Sequence, residues 1–319
     1  MATHLVLGAG GIGRSTADAL ANAGHDVVLA SRSGRPATHP GVRAAAFDVQ
    51  DVTALTRAAH GSATIVNALN PTKYTAWDRD WPPLAAAILT AAQESGASLI
   101  TVSNLYLYGY VDAPMTEQTR VSPNGIKGRV RAQMWAGALA AHNAGRVRAT
   151  EVRASDYLGP ATLTSSMVSS RVLPAIIAGK QPSMPYGRVD VPHSWTADLD
   201  VARLITAIVQ RDDDGDWGRP WHVPTDSPTT VTNLCRMAAQ AAGVPERPVK
   251  VLPRLVISAG GLVVPLFRAL WETRHHYEKA FVIDSSAAQE RFGLAPTPTR
   301  EVVAQTIAAL KRQSPAPVS

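Results

Sequence analysis

A chain of 319 residues is long for one compact domain and can bury a sizeable core. Its 45% hydrophobic and 18% charged residues exclude a disordered protein. Net charge is +6 and the pI is near 9.7, which suits an anionic ligand, but the basic residues are scattered among acids with no Lys/Arg block, so no nucleic-acid partner is expected.

Leu5-Val6-Leu7 reads as a strand, Gly8-Ala9-Gly10-Gly11-Ile12-Gly13 as a turn, and Arg14 to Ala23 as a helix stopped by Gly24. In that setting Gly-x-Gly-x-x-Gly reads as a dinucleotide fingerprint. Gly8 permits the tight turn, Gly10 lets backbone approach a pyrophosphate, and Gly13 seats the helix on the strand. Free N–H groups at the helix start, from Gly11 and Ile12 onward, face the anion. A glycine-rich surface loop is the plain alternative.

A second strand, Val27 to Ala30, ends in Ser31-Arg32-Ser33-Gly34-Arg35. NAD-binding folds usually place an acid here for the adenosine ribose, and this chain has none. Arg32 with the hydroxyls of Ser31 and Ser33 would hold a 2′-phosphate, so NADP(H) is the expected cofactor. The plain reading is that Arg32 and Arg35 solvate a loop. Ala44 to Phe47 is a third strand, followed by a helix over Val52 to Ala59. Ala63 to Ala68 is the fourth strand. Pro82 and Pro83 start a helix that runs to Ser95, with Gly96 its stop. Leu99 to Ser103, a helix over Gly125 to Asn143, and Arg148 to Arg153 continue the alternation, which indicates an α/β doubly wound parallel sheet of the Rossmann type.

Beyond Arg153 the alternation stops. One helical segment lies near Met167 to Ala178, and Ala197 to Val209 reads as an amphipathic helix returning to the nucleotide domain. Trp221 to Val223 is strand-like; Thr232 to Ala242, Leu255 to His275 and Arg300 to Leu310 are helical. The expected division is a dinucleotide-binding domain over 1–155, joined by about 193–223, and a smaller, partly interleaved substrate lobe formed mainly by 156–192 and 224–319.

The first strand begins at once, leaving no room for a signal peptide, and Leu255 to Leu270 is interrupted by Gly260, Gly261, Pro265 and Arg268, so no membrane span is expected. The one cysteine, Cys235, reads as a small buried residue in a reducing, cytoplasmic compartment. His193, His222, His275 and His276 lie on separate segments or point about 100° apart on a helix, so no metal site is expected. A Gly-x-Ser-x-Gly nucleophile pattern is absent.

With these landmarks placed, the chain resembles the extended, atypical short-chain dehydrogenase/reductase superfamily, in its NAD-dependent epimerase/dehydratase branch. The resemblance rests on Gly8, Gly10 and Gly13, on Asp48-Val49, where relatives hold the adenine, and on Leu107-Tyr108-Gly109. Arg153 to Gly159-Pro160 and Trp195 to Ala202, with Asp198 and Asp200, add to it. It implies that Ala68, Leu69 and Ser103 also line the cofactor. Pairing through the two long helices after strands four and five is common in relatives, which implies a homodimer.

The catalytic centre departs from the pattern. Hydride-moving relatives carry Tyr-x-x-x-Lys after strand five, and alignment on Pro123 puts Lys127 at the tyrosine and Arg131 at the lysine. Two readings stand. Lys127 replaces the tyrosine as proton donor or oxyanion partner, with Asn104 on the same oxygen and Arg131 on the ribose. Alternatively, Lys127 and Arg131 bind cofactor phosphate or cap the sheet and no hydride moves. Tyr106 is a spare acid. Tyr157, Met167, Arg171, Tyr186, Trp271 and Tyr277 are the candidate substrate residues. The expected activity is an NADP(H)-dependent oxidoreductase reducing a carbonyl or imine of a small metabolite. The alternatives are a non-catalytic NADP(H) sensor and an epimerase or dehydratase with internally recycled hydride.

Overall fold

The computed structural model describes residues 1–71, 73–252 and 272–313. Its strands β1 (Thr3–Leu7), β2 (Asp26–Ser31), β3 (Val42–Ala46), β4 (Thr64–Asn67), β5 (Ser98–Asn104), β6 (Ala149–Ala154) and β10 (Pro220–His222) form one sheet. The order is β10-β6-β5-β4-β1-β2-β3, and every pairing is parallel. A parallel sheet is covered on both faces, which is why its inner strands are apolar runs rather than alternations. Val6, Val66, Ile100 and Val152 pack under α1 (Gly11–Asn22) and α6 (Asp198–Arg211). Leu5, Leu7, Ile65 and Leu99 face α2 (Val52–Ala59), α3 (Trp77–Ser95) and α4 (Ile126–Asn143). Each of these leucines and isoleucines contributes about 2 kcal/mol by leaving water.

The chain runs outward from β1 to β3, then crosses to β4 and runs the other way. The crevice outside the carboxyl ends of β1 and β4 is therefore the topological switch point, where open α/β sheets hold ligands. A second apolar cluster lies beyond it. Leu158 of β7 (Asp156–Leu158), Leu173 of α5 (Leu173–Ile177) and Trp195 of β9 (Trp195–Ala197) pack there with Leu234 of α7 (Val231–Ala242) and Val303 of the closing helix Thr299–Gln313. β7 and β9 pair in parallel, a contact the sequence pattern did not suggest.

Three elements differ from expectation. α3 starts at Trp77, not Pro82, so both prolines lie one turn inside and each withholds a helix hydrogen bond. Trp77 and Trp81 outweigh that loss: one turn apart, both are buried against Val130, their rings 6.3 Å apart edge to face. Asp78 and Asp80 also suit the positive end of the helix. The segment expected as a helix from Met167 is a wide π-type turn, Val168–Val172, leading into α5. Most of the helix expected over Leu255 to His275 lies outside the described residues; His275 opens the short helix His275–Glu278. Ser286–Phe292 is a further helix, unforeseen because its polar sequence carries no periodic apolar stripe. Among the described residues, no helix is long and apolar enough to cross a membrane.

Candidate active site

The glycine turn is built by steric exclusion. Gly8 has φ +105°, and a Cβ there would stand 2.9 Å from the Ala68 carbonyl. A Cβ on Gly13 would fall on the Gly8 carbonyl oxygen, so only glycine lets α1 lie this close to β1. Gly10 differs: nothing lies within 4 Å of where its Cβ would be. It is also the N-cap of α1 and offers no side-chain cap, so the first N–H groups of the helix are open to an anion. Ile12 packs against the core behind the turn.

Two residues to which the sequence reading gave no role in this turn shape it. Arg14 donates from Nε to Ala9 O at 3.1 Å and from Nη1 to Pro36 O at 3.0 Å, tying the turn to the loop after β2. A cation in the first turn of a helix opposes the macrodipole, and that misfit was its signal. Asp198 is the second. Its Oδ2 accepts from Ala161 N at 2.6 Å and from Thr162 Oγ1 at 3.3 Å, which fixes the Pro160–Thr162 turn against Gly11.

Burial raises the Asp198 carboxyl to about 6, because loss of solvent outweighs the hydrogen bonds that favour its anion. The folded chain thus holds this proton at pH values where the unfolded chain releases it. Stability from Asp198 is full below the unfolded value near 3.8 and is lost as pH rises through about 6. Asp198→Asn is expected to flatten the pH dependence of the urea midpoint in that window; an unchanged slope would remove the assignment.

At the carboxyl ends of β4 and β5 the structure places Ala68, Leu69, Ser103 and Asn104. Ser103 is buried and its Oγ has no partner among the described residues. Asn104 Oδ1 accepts from Tyr106 N at 3.2 Å and holds the turn Tyr106–Tyr108. Asp48 is exposed and caps its own turn through Gln50 N at 3.0 Å, whereas Val49 is buried.

Lys127 is 3% exposed, and its Nζ lies 3.1 Å from Glu272 Oε2. Glu272 Oε1 also accepts from Lys127 N at 2.6 Å, so one carboxylate caps the start of α4 and neutralises the lysine. Burial lowers the Lys127 pKa, and Glu272 opposes that shift. The ammonium sits 4.4 Å from the centroid of the Tyr74 ring, and Tyr74 Oη is 3.4 Å from Tyr106 Oη. Arg131 is buried with its guanidinium 4.5 Å from the Trp81 ring and 5.1 Å from the Trp77 ring, and it donates to Val102 O at 3.3 Å.

Around Tyr106 lies a polar aromatic cluster. Its ring is 5.1 Å from that of His276, and burial pushes its phenol well above the ordinary range, so it keeps its proton. Tyr277 Oη donates to Asp156 Oδ2 at 2.6 Å and its ring stacks on His193 at 4.7 Å. His193 Nε2 lies 3.1 Å from the same carboxylate oxygen. Burial alone would raise Asp156, but the hydrogen bond and charge of His193 hold it down at about 2. Tyr186 stands 6.0 Å from Tyr277, ring to ring, and both Tyr74 and Tyr186 hydrogen-bond Thr273. The structure thus gathers Tyr106, Lys127, Tyr186 and Tyr277, with Tyr157 nearby against the nucleotide-side core. It does not bring in Arg171, which is exposed, and Met167 packs against the second apolar cluster, to which Tyr186 and Tyr277 also belong. Trp271 lies outside the described residues. Among those residues, no group of three His, Cys, Asp or Glu side chains could hold a metal ion.

A model of the NAD dependent epimerase/dehydratase family matches residues 4–223. No curated protein matches the chain. Among solved structures, gox2253 is 22% identical with a TM-score of 0.81, over 98% of this chain and 99% of its own. The dTDP-glucose 4,6-dehydratase of Bacillus anthracis str. Ames, in complex with NAD, is 14% identical with a TM-score of 0.78 over 98% of each chain. The UDP-glucose 4-epimerase of Bifidobacterium longum, in complex with NAD+ and UDP, is 17% identical with a TM-score of 0.77 over 98% of each.

These findings correct two expectations. The family is named for NAD, and the two enzymes just described hold NAD, so the expectation of NADP(H) is withdrawn. Its physical basis was an absence. Arg32 and Ser33 are exposed in a turn and Ser31 Oγ accepts from Arg35 N at 3.4 Å, so a missing acid does not make a phosphate site. The expectation of an oxidoreductase making a net NADP(H)-dependent reduction falls with it, because the family's named activities are epimerisation and dehydration. The chain belongs to the NAD dependent epimerase/dehydratase family.

Proposed function

We propose that this chain binds NAD across the carboxyl ends of β1, β4 and β5 and catalyses a redox-neutral change, epimerisation or loss of water, in a small molecule bearing a secondary alcohol. The observation that carries this is the glycine turn, with Gly10 open on its ligand side and the N–H groups of α1 uncapped. Bound NAD supplies a hydride acceptor that gives the hydride back, as a reaction with no net oxidation requires. Gly8, Gly10, Gly11, Ile12 and Gly13 hold the pyrophosphate, Asp48 and Val49 flank the adenine, and Ala68, Leu69, Ser103 and Arg131 face the nicotinamide half.

Tyr106 is the group assigned to the substrate oxygen: it follows β5, and with its proton held by burial it donates a hydrogen bond to that oxygen. Asn104 positions Tyr106 through its backbone, and Lys127 acts through Tyr74 by placing positive charge behind that ring. Tyr157, Tyr186 and Tyr277 shape the pocket within a substrate lobe drawn mainly from 156–192 and 224–319. A cytoplasmic protein acting on small molecules, without nucleic acid, and paired as a homodimer by family resemblance, completes the proposal.

The test incubates NAD-loaded protein with a panel of secondary alcohols, sugar nucleotides included. Products are read by NMR and reduced nicotinamide by absorbance. A changed product with no lasting reduced cofactor is expected. Stoichiometric accumulation of NADH would overturn the reading.

A further inference from the structure

β7 and β9 pair in parallel with Asp156 opposite Trp195. Side chains two residues apart in an extended run share a face, so His193, two before Trp195, comes to the Asp156 side. Its ring lies 4.4 Å from that of Trp195. Its Nδ1 stands 3.0 Å from the His276 carbonyl oxygen, which only accepts. Nδ1 therefore donates there, and Nε2 is left for Asp156 Oδ2, 3.1 Å away. Tyr277 Oη donates to the same oxygen at 2.6 Å. Two groups thus hold one oxygen of this carboxylate in place.

The other oxygen is not used. Among the described residues Asp156 Oδ1 accepts no hydrogen bond, and 29% of the side chain stays open. Its surroundings are those of Tyr106. Burial raises the phenols of Tyr74, Tyr106 and Tyr186, and the charge of Asp156 raises each of them further, so carboxylate and rings share one chamber. Burial would raise the Asp156 carboxyl as well, but His193 holds it down at about 2. It is then an anion at neutral pH, and too weak a base to draw a proton from carbon. What remains to it is to accept hydrogen bonds. A carboxylate or phosphate oxygen brought to Oδ1 would set two acceptors together with no proton between them. The cations at hand are engaged, Lys127 by Glu272 and Arg131 by Val102 O. An ammonium gains little there, because the charge of His193 already offsets that of Asp156.

Resting on the proposed action of this crevice on a secondary alcohol, we propose that Asp156 selects the substrate, Oδ1 accepting a hydrogen bond from a second, uncharged hydroxyl group. The part of the substrate inside the chamber is a neutral diol, with one oxygen at Tyr106 and the other at Asp156. Molecules that carry a carboxylate or a phosphate in place of the second hydroxyl are turned away. Asp156 is the specificity residue, and His193 and Tyr277 are positioning residues that hold it.

Cyclohexanol is the reference probe. Its diols, with the second hydroxyl one or two carbons away, are compared with the matching hydroxy acids and amino alcohols. In NAD-saturated protein at neutral pH, calorimetric titration is expected to give the better diol an affinity about tenfold above cyclohexanol, with the hydroxy acid and the amino alcohol below the diol. Asp156→Asn keeps the shape and adds an N–H. It should raise the affinity for the hydroxy acid about tenfold, lower that for the diol, and leave NAD affinity unchanged. A merely structural role would weaken all the probes alike. Diols no tighter than cyclohexanol, a hydroxy acid or amino alcohol tighter than the diol, or an even loss in Asp156→Asn would overturn the proposal. Should that variant fold poorly, the wild-type order decides alone. These affinities need no turnover, so lasting NADH, which would overturn the redox-neutral reading, leaves this result separately readable.

Discussion

Gly13→Ala is expected to abolish measurable NAD binding and to lower stability by about 3 kcal/mol. The added methyl would fall on the Gly8 carbonyl oxygen, a backbone atom that cannot swing aside as a side-chain end can. Gly8 N donates to Ala30 O at 2.9 Å and pins the turn to β2, so the strain must go into α1, whose start lifts from the sheet. The N–H groups that face the pyrophosphate lift with it. Gly24→Ala is the control. Gly24 has φ +85° but no atom within 4 Å of its Cβ position, so alanine there costs about 1 kcal/mol of backbone strain and leaves NAD affinity unchanged. Equal loss of NAD binding in both variants would show that global stability, not the turn, was being measured.

Tyr106→Phe is expected to lower kcat by about 10²- to 10³-fold with NAD affinity unchanged, the range typical of a removed hydrogen-bond donor to a developing charge. The phenyl ring keeps its packing against His276 and Trp77, so only the hydroxyl is lost. Lys127→Met behaves differently. It strands the Glu272 carboxylate at a mostly buried site and should destabilise the fold by about 2–4 kcal/mol, with a smaller fall in kcat. Glu272→Gln added to Lys127→Met should recover part of that stability, because the stranded charge is then gone. If Lys127→Met alone removed all turnover from a fully folded protein, and Tyr106→Phe removed little, the role on the substrate oxygen would belong to Lys127.

The contrast between these two residues shows where the sequence was informative. The glycine turn could be read because its constraint is local: strand, turn and helix lie within two dozen residues and each glycine answers one steric demand. The doubly wound sheet was legible from the same kind of signal, repeated as apolar runs alternating with helical spacing. The electrostatics of Lys127 were not legible, because its partner Glu272 lies 145 positions away and no periodicity links them. The same holds for Asp156, His193 and Tyr277, which meet only after β7 pairs with β9. The hold of Asn104 on the next turn was not legible for a subtler reason. Its amide oxygen accepts from the backbone of the following turn, a competition between side chain and main chain that residue type alone does not resolve. The cofactor is not legible after β2, because the lack of an acid there is not the presence of a cation site, and an exposed Arg32 carries no such information.

The proposed catalysis depends on NAD being held at the amino-terminal turn. Isothermal titration of the purified protein with NAD tests this most directly. One site per chain in the micromolar range, lost in Gly13→Ala and kept in Gly24→Ala, is the predicted result. No heat at millimolar NAD from wild-type protein shown to be folded and cofactor-free would contradict it.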